Sequence, residues 1–183
     1  MVAMIGTQRK LPLSRVYGLL EPGPVVLLTT AHRGRANVMT MSWHTMMEFE
    51  PPLVGCVVSG RNFSFDLLRR SRACVIAIPT ARIAKKVVGV GNCSGARTDK
   101  FAKFGLTALP ASQVAAPLVA ECFANLECRV ADTRLVNRYN FFVLEVVAAW
   151  IDPAVKVPRT LHHRGYGEFM VAGRTLKLAS AKA

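Results

Sequence analysis

The chain has 183 residues and a formal net charge of +13, because 24 lysines and arginines face 11 acidic residues. Hydrophobic residues make up 51% of it and charged residues 19%, which excludes a disordered chain and predicts one globular domain over residues 1–183. The longest apolar run, at 141–151, is too short for a membrane span, and the N-terminus lacks the apolar segment of a signal peptide. We therefore expect a cytoplasmic protein with no membrane partner.

The positive charge favours an anionic partner, such as a nucleic acid, a phosphate-bearing cofactor or an acidic protein. The basic residues are scattered, with local clusters at 69–72 and 85–86, a pattern more typical of a solvated surface than of a nucleic-acid interface. Aromatic residues make up only 8% and form no stacking motif, which further disfavours nucleic acid as the partner.

The five cysteines are odd in number and form no Cys-x-x-Cys pair. Four of them lie in apolar or strand-like runs, so we interpret the set as reduced, mostly buried thiols and as neither a disulfide framework nor a metal site. The five are Cys56, Cys74, Cys93, Cys122 and Cys128.

The first clear elements are two strands joined by a turn. An apolar lead at 11–20 ends at Pro22, a β-branched run at 25–30 predicts a strand, and a turn containing Gly34 connects it to a second strand at 37–43. The second strand alternates strictly: its large apolar side chains are Met39, Met41 and Trp43, and its smaller ones are Val38, Thr40 and Ser42. Either the Met/Met/Trp face is a wall for a flat ligand with polar edges, or this is a core strand with an unusual Met content.

The remaining elements favour strands that pair as neighbours. First come a strand at 53–59, a loop and helix at 59–70, a strand at 74–78 and a helix from Thr80 to about 88. A Gly/Ser/Asn loop at 89–98, a helix at 99–104 and an irregular stretch at 106–117 follow. The series ends with long strands at 124–136 and 140–151 and a last strand at 169–178 with a turn near Gly173. About seven strands in hairpin-like order predict a mainly β fold, an antiparallel barrel with peripheral helices, and argue against a doubly wound sheet.

The loop at 59–64 precedes a predicted helix and carries serine, asparagine and Arg61. Free backbone N–H groups, the helix dipole and the arginine would together form an anion pocket, for which phosphate is the natural ligand. The alternative is an ordinary capped helix with a surface arginine.

A second basic loop, at 92–101, places Arg97 and Lys100 beside small residues that permit close approach of a ligand. The glycines at 89, 91 and 95 are spaced wrongly for a dinucleotide fingerprint and follow a helix, so that interpretation is rejected. The alternative is a surface loop with solvated charges.

The run at 161–167 contains His162 and His163, but no acid or cysteine is spaced to complete a metal site. It is either a surface loop or a functional His or Tyr beside a cofactor. No Ser-His-Asp or Gly-x-Ser-x-Gly arrangement occurs, so the residues suit hydrolysis poorly. Redox chemistry remains open, because there the cofactor supplies the reactive group.

Taken in this order, the stretches at 37–43, 51–54, 59–68, 92–104, 124–130 and 163–166 resemble the flavin reductase-like family of FMN-binding split barrels, close to its flavoredoxin branch. The resemblance covers about residues 22–169. It implies a homodimeric antiparallel split β-barrel that holds FMN non-covalently near the subunit interface. The implied activity is hydride transfer from NAD(P)H to flavin, with a flavin-dependent oxygenase or another redox protein as partner. The alternatives are an FMN-bound electron carrier without nicotinamide turnover and, behind it, a basic nucleic-acid-binding barrel.

The resemblance also implies roles for individual residues. The isoalloxazine ring would lie along Asn37, Met39, Thr40, Met41, Ser42 and Trp43. The phosphate and ribityl chain would contact Ser59, Arg61, Asn62 and Ser64. The remaining assignments are Ser94 and Lys100 on the flavin or its phosphate, Tyr139 and Phe169 closing the pocket, and His163 as the catalytic residue on the nicotinamide side. The chain departs from the family at Tyr139, where members often carry His, and at 94–97, where an extra small residue precedes Arg97.

Overall fold

A computed structural model of the chain describes residues 23–176 and the backbone of two short strands before them. The predicted lead at 11–20 and the end of the predicted last strand, at 177–178, lie outside the described residues. The strands are β1 (Met4–Ile5), β2 (Gln8–Arg9), β3 (Val26–His32), β4 (Arg35–Met41), β5 (His44–Glu48), β6 (Leu53–Val57), β7 (Ala73–Ile78), β8 (Ala108–Leu109), β9 (Leu118–Val119), β10 (Ala124–Asp132), β11 (Phe141–Ile151), β12 (Leu161–Gly165) and β13 (Glu168–Val171). The helices are α1 (Phe63–Ser71), α2 (Ala84–Gly91), which follows a 3-10 turn at Ala81–Ile83, α3 (Lys100–Phe104) and α4 (Val136–Tyr139).

One seven-stranded sheet dominates, in the order β4-β3-β7-β10-β11-β6-β5, and all of its neighbouring strands are antiparallel. Three two-stranded sheets, β1-β2, β8-β9 and β12-β13, complete the pairing among the described strands. β4 and β5 are therefore the two edge strands of the main sheet.

The sheet curls around its own apolar face. Met41 of β4 and Val54 of β6 lie near opposite ends of the strand order, yet both belong to one buried cluster. That cluster also takes side chains from the strands between them and from α1, namely Val26, Leu28, Cys56, Phe65, Leu68, Cys74, Ile76, Cys128, Val130, Phe142 and Leu144. Burial of these side chains is the main force that holds the curl.

A second cluster covers the outer face of β3, β4 and β7. Leu27, Val38 and Ala77 point outward from these strands and pack against Val87 and Val90 of α2. β3 carries consecutive apolar residues because both of its faces are buried. The same packing fixes α2 against β4, where a Cβ on Gly91 would lie 3.4 Å from Thr40 Cβ.

The elements with strong local signals are confirmed. The β3-β4 hairpin forms with its turn at Arg33 and Gly34, and α3 begins after Asp99, whose carboxylate accepts a hydrogen bond from Ala102 N at 3.1 Å. The helix expected from Thr80 to about 88 is a 3-10 turn followed by α2, which runs on to Gly91.

Six strands were not predicted, and four of them, β1, β2, β8 and β9, are only two residues long. The two longer ones are β5, which reads His-Thr-Met-Met-Glu and is largely exposed, and β12, which reads Leu-His-His-Arg-Gly and was expected as a loop. Neither carries the alternating β-branched residues that signal a strand, so only pairing with β6 and β13 creates them. The last strand is shorter than expected and ends at Val171.

The prediction of mostly buried thiols is confirmed for Cys56, Cys74, Cys122 and Cys128, whereas Cys93 is half-exposed. Burial, with smaller contributions from neighbouring groups, raises the pKa of Cys56 and of Cys122 to about 12. No helix within residues 23–176 is long and apolar enough to cross a membrane.

Glu127 is a fully buried carboxylate on β10. It accepts hydrogen bonds from Ser112 N and Ser112 Oγ at 2.9 Å, from Gln113 N at 2.5 Å and from Trp150 Nε1 at 2.7 Å. Burial by itself would raise the pKa of Glu127, but these donors outweigh it and lower the pKa to about 2. Glu127 thus ties the irregular stretch at 110–117 to the sheet.

Candidate functional site

A cleft with a volume of about 260 Å³ opens where α1 begins. We call it the helix-start cleft. Its walls are β4, the first turn of α1, the end of α2 and the loop after it. It is lined by Asn37, Met39, Arg61, Asn62, Phe63, Ser64, Gly91, Asn92, Cys93, Ser94, Gly95 and Lys100. The lining holds two cationic side chains and no carboxylate, so it is suited to an anion.

The N-terminus of α1 is open toward this cleft. Asn62 is the N-cap residue, but its side chain makes no capping hydrogen bond. Within residues 23–176, the N–H groups of Phe63 and Ser64 have no hydrogen-bond acceptor. Two free donors at the positive end of a nine-residue helix form a site for an anion.

A buried hydrogen-bond network fixes the floor of the cleft. Asn37 Nδ2 donates to Ser64 Oγ at 2.8 Å, and Thr30 Oγ1 donates to the same oxygen at 3.4 Å. Gly95 packs so closely on Asn37 that a Cβ there would lie 1.9 Å from Asn37 Oδ1. These hydrogen bonds join β3, β4 and α1, and the packing of Gly95 on Asn37 adds the loop at 92–98. The contacts therefore fix three walls of the cleft, namely β4, α1 and the loop, relative to one another.

Lys100 is buried, with 5% of its surface exposed, and its ammonium donates to Val90 O at 2.8 Å. Burial lowers the pKa of Lys100, and the nearby Cys93 partly opposes that shift. Since the one ion pair within residues 23–176 joins Arg134 to Asp132, no carboxylate neutralises Lys100 or Arg61. An ammonium has three protons, so Lys100 can donate to a ligand as well as to Val90.

A second cleft of about 320 Å³, the hairpin cleft, lies along the other face of β4 under the β12-β13 hairpin. Its lining residues are Val25, Thr40, Ser42, Val88, Gly91, Asn92, His163, Gly167 and Phe169. Gly91 and Asn92 line both clefts, so the two are adjacent. The His163 and Phe169 rings lie 5.1 Å apart and together form one wall.

Another cleft, of about 520 Å³, lies beside the end of β7, the start of β10 and the end of β11, around Thr80, Cys122 and Asp152. Its rim mixes Arg82 and Arg159 with acidic residues, so it has no clear preference for one sign of charge. The helix-start cleft is smaller, but it combines free helix N–H groups with unopposed cations.

Comparison with known proteins identifies the family. Residues 19–170 match the family model described as "Flavin reductase like domain". The chain belongs to the flavin reductase-like family.

Individual proteins are similar to the chain over most of its length. The chain is 34% identical over 170 residues to the uncharacterized protein YddH of Escherichia coli strain K12, covering 85% of this chain and 90% of YddH. The structure resembles an FMN-binding domain of a flavin reductases-like enzyme from Shewanella baltica OS155, with a TM-score of 0.80, 28% identity and coverage of 92% and 96%. It also resembles flavoredoxin of Desulfovibrio vulgaris (Miyazaki F), with a TM-score of 0.81, 22% identity and coverage of 98% of each chain. The predicted fold, a mainly β antiparallel split barrel, is confirmed.

The structure brings together most of the site residues predicted from the sequence. Seven of them line the helix-start cleft: Asn37, Met39, Arg61, Asn62, Ser64, Ser94 and Lys100. Four line the hairpin cleft: Thr40, Ser42, His163 and Phe169. Their contact with a cofactor stays a prediction.

Four predicted residues line neither cleft. Met41 is buried in the central cluster, and Trp43 lies beyond the end of β4 with 56% of its surface exposed. Tyr139 is exposed at the end of α4, and Ser59 Oγ accepts a hydrogen bond from Arg61 N at 3.3 Å. Of the three large side chains in the expected Met/Met/Trp wall, Met39 lines the helix-start cleft, Met41 packs in the core, and Trp43 lies beyond the end of the strand. Contact of these three side chains with a flat ligand stays a prediction.

Several lining residues were not named as site residues from the sequence, among them Gly91, Asn92 and Cys93. Asn92 lies in the basic loop at 92–101 that the sequence marked, but nothing in the local pattern indicates that Gly91 and Asn92 join two clefts. Cys93 was grouped with the buried thiols, although it alone stands in a run of polar and small residues. That departure from an apolar context was the available signal.

Proposed function

We propose that this chain binds FMN non-covalently, with the phosphate in the helix-start cleft and the ring system along β4 toward the hairpin cleft. The observation that carries the proposal is the uncapped N-terminus of α1, which opens into a cleft lined by Arg61 and Lys100 without a carboxylate. The likeness to an FMN-binding domain at 28% identity supports the same ligand.

The residues present fit a phosphate group. The N–H groups of Phe63 and Ser64 supply directed donors, and Arg61 adds a charged donor at the rim. Lys100 adds a buried positive charge that water screens little. These features suit a phosphate monoester better than a neutral ligand of the same size.

The edge position of β4 fits the flavin ring. Among the described strands β4 pairs only with β3, so the N–H and C=O groups along its other side are free for the polar edge of a heterocycle. Thr40 and Ser42 place small side chains on the face that lines the hairpin cleft. Such a face lets a planar ring approach the backbone closely.

The reaction that we propose is oxidation of NAD(P)H with transfer of hydride to flavin. The bound flavin supplies the redox chemistry, and the chain binds and orients the two reactants. The wall formed by His163 and Phe169 is the proposed position of the nicotinamide, with His163 as the catalytic residue there. A flavin-dependent oxygenase or another redox protein would receive the electrons, in the cytoplasm, a compartment suited to unpaired buried thiols.

The test is steady-state oxidation of NADH and of NADPH by the purified protein with added FMN. We expect absorbance of the reduced nicotinamide to fall with at least one donor, and His163→Ala to slow turnover while FMN binding is retained. Absence of turnover with both donors would reject the reductase activity.

The second candidate is an FMN-bound electron carrier without nicotinamide turnover. The likeness in fold to flavoredoxin favours it. Protein that binds FMN tightly, but is reduced only by another redox protein and never by NADH or NADPH, would establish this alternative.

A further inference from the structure

Arg35 lies at the start of β4 and does not line the helix-start cleft. Its Nη2 donates to Gly95 O at 2.9 Å and to Ala96 O at 2.8 Å. Its guanidinium also lies over the Phe63 ring, 4.3 Å from the centroid. One side chain therefore joins β4, the loop at 92–98 and the first residue of α1.

These contacts lie directly behind the wall of the cleft. Gly95 lies so close to the Asn37 side chain that no Cβ would fit between them. Phe63 carries one of the two free N–H groups at the start of α1. The Ser94 hydroxyl, which faces the same cleft, accepts a hydrogen bond from Ala96 N at 3.3 Å. A shift of Gly95 and Ala96 would therefore move Ser94 and widen the cleft.

We propose that Arg35 is a positioning residue that sets the width of the cleft and hence its selectivity for a phosphorylated flavin. This inference rests on the proposed function. Arg35 acts through the loop and through Phe63, without contacting the ligand. One guanidinium nitrogen, Nη2, donates to both carbonyls while the guanidinium plane lies over the Phe63 ring. A lysine ammonium would keep the charge and could donate to the carbonyls, but it has no planar group to stack on the ring.

The test compares Arg35→Ala and Arg35→Lys with Arg70→Ala, which removes an exposed arginine from the far end of α1. Flavin fluorescence titration gives affinities for FMN and for riboflavin. We expect both Arg35 variants to lose about tenfold in FMN affinity and much less in riboflavin affinity, with Arg70→Ala like the wild type. If Arg35→Lys keeps wild-type FMN affinity, the stacked guanidinium is not required and the proposal is overturned.

Amide hydrogen exchange in flavin-free protein provides a second readout. The amides of 94–98 should exchange faster in Arg35→Lys than in the wild type or in Arg70→Ala. Unchanged exchange there would overturn the proposal even if FMN affinity fell. If Arg35→Ala does not fold, Arg35→Lys carries both measurements.

The titrations also separate this inference from the proposed function. Failure of the wild type to bind FMN would overturn both. Wild-type binding of FMN together with unchanged Arg35 variants would overturn only the role of Arg35.

Discussion

At the scale of single residues, the candidate site uses two cations in different surroundings. Arg61 is exposed at the rim of the helix-start cleft, whereas Lys100 is buried and anchored to Val90 O at 2.8 Å. Water screens the first strongly and the second weakly. Removing them should therefore have different consequences for binding and for stability.

Arg61→Ala should weaken FMN binding by about tenfold and riboflavin binding much less, because a charged donor to the phosphate is lost. Paired titrations with the two flavins measure this difference. Arg70→Ala serves as the control for loss of one exposed positive charge. Equal losses for FMN and riboflavin would place Arg61 away from the phosphate.

Lys100→Met should weaken FMN binding and yet leave flavin-free protein at least as stable as the wild type. Burial lowers the pKa of Lys100, so the folded state disfavours its charged form, and an apolar side chain of similar length removes that cost. Urea unfolding and FMN titration measure the two effects, with the exposed Lys103→Met as the control on the same helix. Marked destabilisation without loss of FMN affinity would assign Lys100 a purely structural role.

At the scale of elements, Glu127 determines how the irregular stretch at 110–117 joins β10. Its pKa of about 2 lies below the ordinary value of 4.5. A carboxylate with a depressed pKa stabilises the folded state fully above the unfolded value. That stabilisation is lost as the pH falls from about 4.5 to about 2.

Glu127→Gln should therefore lower the free energy of unfolding at neutral pH by about 3 kcal/mol. A glutamine has one oxygen and one NH₂ group where Glu127 has two oxygens, so its NH₂ group would face N–H donors that need an acceptor. The substitution should also flatten the dependence of stability on pH between about 4.5 and 2. Urea unfolding at several pH values measures both effects, with Glu168→Gln on the exposed β13 as the control. An unchanged pH profile would contradict the assigned role of Glu127.

Elements with a local signal were predictable from the sequence, and elements created by pairing were not. The β3-β4 hairpin and α3 follow from a turn glycine and from the Asp99 cap. β5 and β12 lack alternating apolar residues and exist because β6 and β13 pair with them.

The candidate site divides in the same way. The alternation of residues along β4 identified its two faces. It did not show that Met41 is buried in the core and therefore lines neither cleft. The Arg35 contacts join residues about 60 positions apart in the chain, a distance over which no local pattern carries information.

At the scale of the whole molecule, the family resemblance predicts a homodimer, and exposed apolar side chains around β5 offer a surface for it. Trp43, Met46 and Phe49 have 56%, 56% and 90% of their surfaces exposed beside an edge strand. Exposed apolar groups that adjoin a free strand edge are typical of surfaces that bind another protein.

We expect sedimentation equilibrium to give a dimer for the wild type and a monomer for Met46→Glu. Leu109→Glu, which alters a 42% exposed leucine on β8, should remain dimeric. A wild-type monomer at all concentrations, or a dimer that Met46→Glu leaves intact, would contradict this surface assignment.

The central claim is that the acid-free cleft at the start of α1 holds the phosphate of FMN. Titration of the purified protein with FMN, followed by visible absorbance, tests it most directly. We expect saturable binding of one FMN per chain with a shifted flavin spectrum, and release of FMN at high phosphate concentration. A colourless protein that leaves the FMN spectrum unchanged throughout the titration would contradict it.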